Sequence, residues 1–309
     1  MLKEVDEKEW EGFCNQVSDK TLLNDPGFLK TLQSVSGERI VYFIWVEDGK
    51  PAIGFPVFVD GRNIVQPFYK FYHRFSVHPE FTDADLFAAY KAIFSQLKER
   101  YKVIRWKVSV RFSYLNAFEE AGFRVSKRQT YIKSLNDLTY SRNINRILKR
   151  SEDMGYEVKL VPQNSAALLD LIQTNTIYWG IRKRQKNIDF MRVLVQQGYG
   201  EVYELTKAGT YIAALYIFND KLANEIFTLF LSKRVDDSLE AHTLLYNHVM
   251  ELYQSKGYLS CDLSGANMPA IAHYKAKFKG DLVEYCEVEC GDNLKMLVKS
   301  YLKKIYSKF

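Results

Sequence analysis

The chain has 309 residues, of which 47% are hydrophobic and 26% are charged, and its formal net charge is +6. This composition excludes a disordered protein, and the length favours two domains because a single core stops growing at roughly 250–300 residues. The four cysteines lack zinc-ligand spacing, the N-terminus is mostly charged, and no apolar run could cross a bilayer, so a cytoplasmic protein without a metal is predicted.

The first half of the sequence alternates strand and helix patterns. Period-2 patterning predicts strands at 39–46 and 52–59, and the Asp48-Gly49 pair between them is a hairpin signal. Apolar residues at helical spacing predict a helix over 86–101. A strand at 103–110, a short helix near 114–121 and a strand ending at 132 follow.

The second half repeats this order of elements. Strands are predicted at 201–206, 210–218 and 222–231, a main helix at 242–256, a strand at 258–263, a helix at 269–278 and a strand at 282–289. The spacing of the main helices and of Gly122 and Gly280 repeats after half the chain, which indicates an internal duplication. We therefore predict an N-terminal domain at 1–135, a basic connecting helix at 136–155, and a C-terminal domain at 156–309 that ends in a helix after Asp292.

The predicted connecting helix has one apolar and one basic face. The apolar stripe consists of Tyr140, Ile144, Ile147 and Leu148, and the opposite face carries Arg142, Arg146, Lys149 and Arg150. A second cluster of cations, which begins at Arg182, follows Tyr178 and Trp179. Each is explained either by a solvated surface or by contact with phosphates or RNA.

The most distinctive stretch for chemistry runs from 261 to 285. A strand that ends in Asp262 opens into a small-residue loop with Ser264, and Asn267 is placed to cap a helix that Pro269 begins. This helix presents the cations Lys275, Lys277 and Lys279 next to Tyr274. Taken alone, the pattern also fits a capped surface helix with solvated lysines.

Motifs of several enzyme classes are absent from the sequence. It contains no GxxxxGK[ST], GxGxxG, HExxH or GxSxG pattern, which disfavours nucleotide hydrolases and hydrolases with a catalytic triad.

A resemblance to a known family rests on the C-terminal half. The stretch HTLLYNHVMELYQSKGYLSCDLSGAN, followed by YKAKFKGD, resembles the C-terminal GNAT-like half of FemABX-type proteins, and SRNINRILKRSEDMGYEVKL resembles their basic helix and the strand after it. The resemblance implies an α/β fold with mixed sheets in two tandem GNAT-like acyltransferase domains, with catalysis in the C-terminal one. It also implies transfer of an acyl or aminoacyl group to an amine, with aminoacyl-tRNA or acyl-CoA as donor and no further cofactor required.

Two features of the sequence depart from the family pattern. The stretch SKRVDDSLEAHTLL before the main helix has no glycine, although CoA-dependent relatives use a [RQ]xxGx[GA] loop there. No sustained heptad repeat provides the coiled-coil arm of some tRNA-dependent members. The basic helix favours aminoacyl-tRNA or another large phosphorylated donor, and an acyl-CoA-dependent N-acetyltransferase is the alternative.

Roles follow for the candidate residues. The acceptor amine must lose a proton, for which Asp262, Glu225 and His242 are candidate bases. Lys275 is a partner for the oxyanion or a donor phosphate, and Tyr274 a stacking or proton-donating neighbour. Predicted substrate or donor contacts are Arg142, Arg146, Arg150, Arg182, Ser264, Asn267 and Lys279.

The resulting hypothesis is an acyltransferase that acts on an amine of a small molecule or a cell-envelope precursor. Expected partners are tRNA and, through peripheral contact, the inner membrane surface. The competing hypothesis is a non-catalytic module that binds RNA or an anionic ligand on a GNAT-like fold.

Overall fold

A computed structural model of the chain describes residues 1–68, 71–81, 83–162, 167–168, 170–171, 181–232 and 238–291. Unit 1 comprises Met1–Ser18, Glu38–Lys127 and Cys286–Phe309, and unit 2 comprises Asp19–Gly37 and Arg128–Tyr285. The compact units are thus interleaved along the sequence. The linear division at 135 and 156 remains a prediction about the sequence repeat.

Both units mix helices and strands. The helices within the described residues are α1 (Glu7–Gln16), α2 (Pro26–Ser36), α3 (Asp83–Arg100), α4 (Leu115–Glu120), α5 (Arg142–Ser151), α6 (Ile181–Gln196), α7 (Ser238–Ser255) and α8 (Pro269–Ala276). The strands are β1 (Leu2–Val5), β2 (Arg39–Glu47), β3 (Lys50–Asp60), β4 (Asn63–Val65), β5 (Ser76–Val77), β6 (Val103–Val108), β7 (Arg124–Ser134), β8 (Tyr156–Leu160), β9 (Gly200–Lys207), β10 (Thr210–Asp220), β11 (Glu225–Leu231), β12 (Ser260–Asp262) and β13 (Asp281–Cys290). The predicted C-terminal helix after Asp292 lies outside the described residues.

The sheet of unit 1 begins with antiparallel strands and then becomes mixed. β2 and β3 form the predicted hairpin, with Asp48 and Gly49 at φ of 45° and 80° in its turn. β4 pairs antiparallel with β3 and parallel with β6, and α3 connects this parallel pair. The core between sheet and helices is aromatic, since Phe94 of α3 stacks on Phe118 of α4 with ring centroids 3.7 Å apart.

The sheet of unit 2 has the same order of pairings. β9, β10 and β11 are antiparallel neighbours, β12 runs parallel to β11, and α7 connects β11 to β12. Leu245, Val249 and Tyr253 of α7 are buried in the core formed with β9 and β10. Because both units repeat the order antiparallel, antiparallel, parallel with a crossing helix, the predicted duplication of a mixed α/β fold is confirmed.

Each sheet is completed by a strand from the other half of the sequence. In unit 2, residues 128–134 of β7 pair with β12, and Asp262 lies opposite Ile132. In unit 1, residues 286–290 of β13 pair with β6, and Cys286 lies opposite Val108. This exchange explains why compact units and sequence halves differ.

The first segment of unit 2 also comes from the N-terminal part of the chain. Asp220, which is fully buried at the end of β10, accepts hydrogen bonds from Thr21 Oγ1 (2.5 Å) and the Leu22 backbone N–H (3.0 Å). Phe28 of α2 packs edge-on against Tyr199 at 4.9 Å. These contacts attach α2 to the sheet of unit 2.

Within the described residues, none of the helices combines the length and the apolar character that crossing a bilayer requires.

Candidate active site

The sheet of unit 2 opens where β12 ends. β11 and β12 are paired only from Glu225 opposite Ser260 to Phe227 opposite Asp262, whereas β11 continues beside β10 as far as Leu231. Because β12 ends at Asp262 while β11 continues to Leu231, β11 has no neighbour in this ladder beyond Asp262, and a gap begins there. In unit 1 the corresponding edge holds a segment of its own chain.

In that edge of unit 1, His73 lies alongside β6. Its backbone N–H donates to Lys107 O (2.6 Å), and its carbonyl accepts from Ser109 N (3.1 Å). Its ring stacks on Trp106 at 4.5 Å, and burial lowers the pKa of His73 to about 3, which keeps the imidazole neutral. The gap between β4 and β6 is therefore filled in unit 1, and unit 2 is the better candidate for a substrate site.

A β-bulge borders the opening of unit 2. The pairing of β10 with β11 steps from Ile217 opposite Thr228 to Tyr216 opposite Phe230, so Leu229 has no partner in the register. A bulge takes a residue out of the regular ladder and redirects its backbone groups. This bulge cannot be predicted from local sequence patterns, because it exists only in the pairing of two strands.

Asp262 is fixed at the base of the opening. Its side chain is 4% exposed, and Oδ1 accepts hydrogen bonds from Thr130 Oγ1 (2.5 Å) and the backbone N–H of Ser264 (2.7 Å). The chain then turns through left-handed conformations at Ser264 (φ 55°) and Gly265 (φ 52°). Ser264 thus contributes its backbone to the site, and Thr130 is a site residue that sequence analysis missed.

Lys275 reaches back from α8 to the same loop. Its ammonium donates to Leu263 O (2.5 Å) and Gly265 O (3.1 Å), and the residue is only 7% exposed. Burial lowers the pKa of Lys275 to about 8, while the negative charge of Asp262 opposes this shift. The alternative of a solvated lysine is wrong for Lys275 and correct for Lys279, which is exposed.

Tyr274 faces the first turns of α7. Its hydroxyl lies 3.2 Å from Thr243 Oγ1, and its ring lies 6.5 Å from that of His242. Burial raises the pKa of Tyr274, so the phenol stays protonated and can donate but not act as a base. The structure therefore places the Tyr274 side chain near Thr243 and His242 at the start of α7.

Glu225 lies away from the opening. It is buried at the first position of β11, where its carboxylate accepts a 3.4 Å hydrogen bond from Ser260 Oγ. Two residues, or roughly 7 Å of strand, separate it from Phe227, the partner of Asp262. The structure does not place Glu225 with Asp262 and Lys275 at the open edge.

Asn267 holds the loop to β7 and does not cap α8. Its Oδ1 accepts from the Gln129 backbone N–H (2.9 Å), and its Nδ2 lies 3.4 Å from Tyr285 Oη. The N-cap of α8 is Met268, which makes no side-chain cap bond. The predicted cap was wrong because Pro269 occupies the first helical position, which makes the residue directly before it the cap.

The basic face of α5 is exposed as its pattern predicts. Ile144 and Ile147 are buried, whereas Arg142, Arg146, Lys149 and Arg150 are exposed. Arg150 forms a salt bridge with Glu240 in the first turn of α7. The cations therefore lie near the N-terminal end of α7. The side chain of Arg182 lies outside the described part of the chain.

Among the described residues no three His, Cys, Asp or Glu side chains are grouped to hold an ion.

Comparisons with known proteins relate the fold to tandem GNAT proteins. No family model matches the sequence, and no curated protein matches it. The solved structure of FemX has a TM-score of 0.64 at 11% identity and covers 93% of this chain and 96% of its own. L-PGS from Bacillus licheniformis gives 0.57 at 15% identity, with coverage of 96% and 95%. A tandem GNAT protein from the clavulanic acid biosynthesis pathway gives 0.55 at 9% identity, with coverage of 95% and 100%. The chain thus has the tandem GNAT fold that the sequence resemblance implied.

Proposed function

We propose that unit 2 transfers an acyl or aminoacyl group from an activated carrier to an amine. The observation that carries this proposal is the buried ammonium of Lys275, which bonds to the loop that follows Asp262. A cation held in an apolar setting beside an open sheet edge is suited to meet negative charge that develops during a reaction. Burial makes this interaction stronger than it would be in water.

The proposed reaction is direct aminolysis. The amine nitrogen bonds to the acyl carbon, the carbonyl oxygen becomes an oxyanion, and collapse breaks the bond to the carrier oxygen or sulfur. The proton lost by the amine is balanced by the one that the released carrier gains. Two of the three N–H groups of the Lys275 ammonium point to loop carbonyls, and the third is assigned to the oxyanion. The backbone at the Leu229 bulge would supply a second donor.

Asp262 has a positioning role in this proposal. Its Oδ1 already accepts two hydrogen bonds, and its charge favours the protonated form of Lys275. Proton removal from the acceptor falls instead to His242 or to water. The geometry of Glu225 does not suit it for this step.

The proposed donor is an aminoacyl-tRNA or another large phosphorylated carrier. The exposed cations of α5 lie beside the start of α7, and the sequence before α7 lacks the glycines of a CoA pyrophosphate loop. The proposed acceptor is an amine on a small molecule or a cell-envelope precursor. Acetyl-CoA is the alternative donor.

Salt-dependent binding distinguishes the donors. Affinity for bulk tRNA should fall with salt, and Arg142→Ala with Arg146→Ala should reduce the log-log slope by about 0.7 per lost phosphate contact. Lys221→Ala, at an exposed turn residue, serves as the control. Stoichiometric acetyl-CoA binding together with tRNA binding that ignores the arginine variants would move the donor to acyl-CoA.

The activity itself is tested by product detection. The purified protein is incubated with mixed aminoacyl-tRNA or with acyl-CoA and a set of amines, and amide products are identified by mass spectrometry. We expect a product that Lys275→Ala reduces by about 100-fold. The exposed basic face favours a non-catalytic RNA-binding module as the second candidate. Absence of product, with tRNA binding that depends on Arg142 and Arg146, would favour that module.

A further inference from the structure

Exposed apolar residues border the opening of unit 2. The five residues from Asn267 to Ile271 are all exposed, and Met268 and Ile271 have exposed fractions of 62% and 40%. Both are large hydrophobic side chains at or before the first turn of α8. A water-exposed cluster of this kind next to a site is more informative than scattered apolar residues.

The helix geometry relates these residues to Lys275. Ile271 precedes Lys275 by four residues, so the two side chains lie on the same face of α8, one turn apart. Lys275 is buried at the loop, whereas Ile271 is at the exposed end of that face. The apolar residues therefore form a rim beside the opening.

Cations flank this rim. The segment 267–280 contains no acidic residue, and besides the buried Lys275 it carries Lys277, which is half-buried, and Lys279, which is exposed. The backbone N–H of Ser141 donates to Lys277 O (2.9 Å), which joins the start of the basic helix α5 to this segment. The acidic residues Asp281 and Glu284 follow on β13 and are exposed, so α5 supplies most of the net positive charge.

We propose that this surface docks on a phospholipid bilayer that contains anionic lipids. Met268 and Ile271 would enter the interface, and Lys277 and Lys279 would contact headgroup phosphates. Apolar side chains flanked by Lys and Arg bind such a bilayer in two ways, through the apolar area that they bury and through attraction of the cations to anionic headgroups. RNA would use the cations but would leave the aliphatic rim in water. The inference rests on the proposed function only in that it places the transfer site at the bilayer surface.

Vesicle binding tests the proposal. The probes are vesicles of phosphatidylcholine alone and of phosphatidylcholine mixed with phosphatidylglycerol, and bound protein is measured by flotation at low and high salt. The test variant combines Met268→Ser with Ile271→Ser. The control is Leu160→Ser, because Leu160 is a large hydrophobic residue that is 57% exposed on β8 and has a cation, Lys159, directly before it.

The wild type and Leu160→Ser should bind anionic vesicles, and binding should weaken with salt. We expect the double variant to bind about tenfold or more weakly. Lys279→Ala should weaken binding about fivefold, and only to anionic vesicles. Binding by the double variant equal to wild type, or no vesicle binding by wild type at low salt, overturns the proposal. A third outcome is that the wild type binds no vesicles but self-associates with rising concentration, and that the double variant does not. That result would replace the bilayer by a second copy of the chain as the occupant of this surface.

This result is separable from the proposed function. Lys275→Ala should bind vesicles like the wild type, since Lys275 is buried. Normal vesicle binding by a protein that forms no amide product would support the docking surface and contradict the transferase proposal. Amide formation without vesicle binding would support the transferase proposal and contradict the docking surface.

Discussion

The variant Lys275→Met separates the charge of this buried side chain from its volume. Methionine is unbranched and of similar length, so it fills the space between α8 and the loop. The ammonium and its hydrogen bonds to Leu263 O and Gly265 O are lost. We expect a folded protein with transfer reduced by about 100-fold or more, the scale for loss of one preorganised donor.

Two opposing contributions determine how Lys275→Met changes the free energy of unfolding. Leaving the two carbonyls without a donor costs about 1–3 kcal/mol each. Against this, burial lowers the pKa of Lys275 from 10.5 to about 8. At about 1.4 kcal/mol per pKa unit, that shift corresponds to about 3 kcal/mol of burial cost below pH 8, which methionine removes. The free energy of unfolding at pH 7 should therefore change by no more than about 3 kcal/mol.

The stability of the wild type should depend on pH because the pKa of Lys275 is lowered. Because the pKa of Lys275 is lower in the folded chain, the unfolded chain binds more protons between about pH 8 and pH 10.5, and wild-type stability gains from this group as pH rises through that window. The methionine variant lacks this gain. Relative to wild type, it should be about 1 kcal/mol less stable at pH 9 than at pH 7.

The assay is urea unfolding at pH 7 and pH 9, combined with the transfer rate. Lys221→Met, at an exposed turn, is the matched control. A stability difference between Lys275→Met and wild type that is the same at both pH values would refute the lowered pKa. Transfer close to the wild-type rate would refute the catalytic role of Lys275 even if its pKa is lowered.

Three further predictions concern the same unit. Thr130→Val should lower the free energy of unfolding by about 1.5–3 kcal/mol, because Asp262 loses a charge-assisted hydrogen bond, whereas Thr130→Ser should retain it; urea unfolding of both variants decides. Asp220→Ala removes the acceptor of Thr21 Oγ1 and of the Leu22 N–H, so it should lower the free energy of unfolding by about 3 kcal/mol and speed protease cleavage before α2. Unchanged cleavage would show that Asp220 does not attach this segment to the sheet of unit 2. The rate of transfer should fall as pH rises through about 8, where the Lys275 ammonium loses its proton, and a rate that keeps rising above this pH would assign Lys275 the role of a base.

Local sequence patterns were sufficient to predict the helices and strands that bury one face. The hairpin of β2 and β3 and the long helices α3 and α7 have strong periodicity, and each buries its apolar side against one sheet. Periodicity does not say which strand pairs with which. The exchange of β7 and β13 between sequence halves therefore could not be predicted, since pairing partners are set by tertiary contacts.

Only part of the candidate site could be predicted from the sequence, because the rest depends on the same tertiary contacts. The stretch YKAKFKGD of the family resemblance begins with Tyr274 and Lys275, but the burial of Lys275 follows from how α8 packs on the loop. Thr130 is an ordinary strand residue until β7 pairs with β12 and places it beside Asp262. Glu225 was predicted inside a strand at 222–231, whereas β11 begins only at Glu225, two residues before the partner of Asp262.

The coupling between Asp262 and Lys275 leads to the last prediction. Burial alone lowers the pKa of Lys275, and the charge of Asp262 limits that decrease. Asp262→Asn keeps an oxygen that can accept from Thr130 and from Ser264 N, but it removes the charge. The pKa of Lys275 should then fall below about 8, so the alkaline limb of the rate profile moves to lower pH. The transfer rate of Asp262→Asn across pH measures this shift, with Thr130→Ser as a control that leaves the charge in place. If Asp262 is instead the base that takes the amine proton, the variant loses activity at every pH and its alkaline limb does not move.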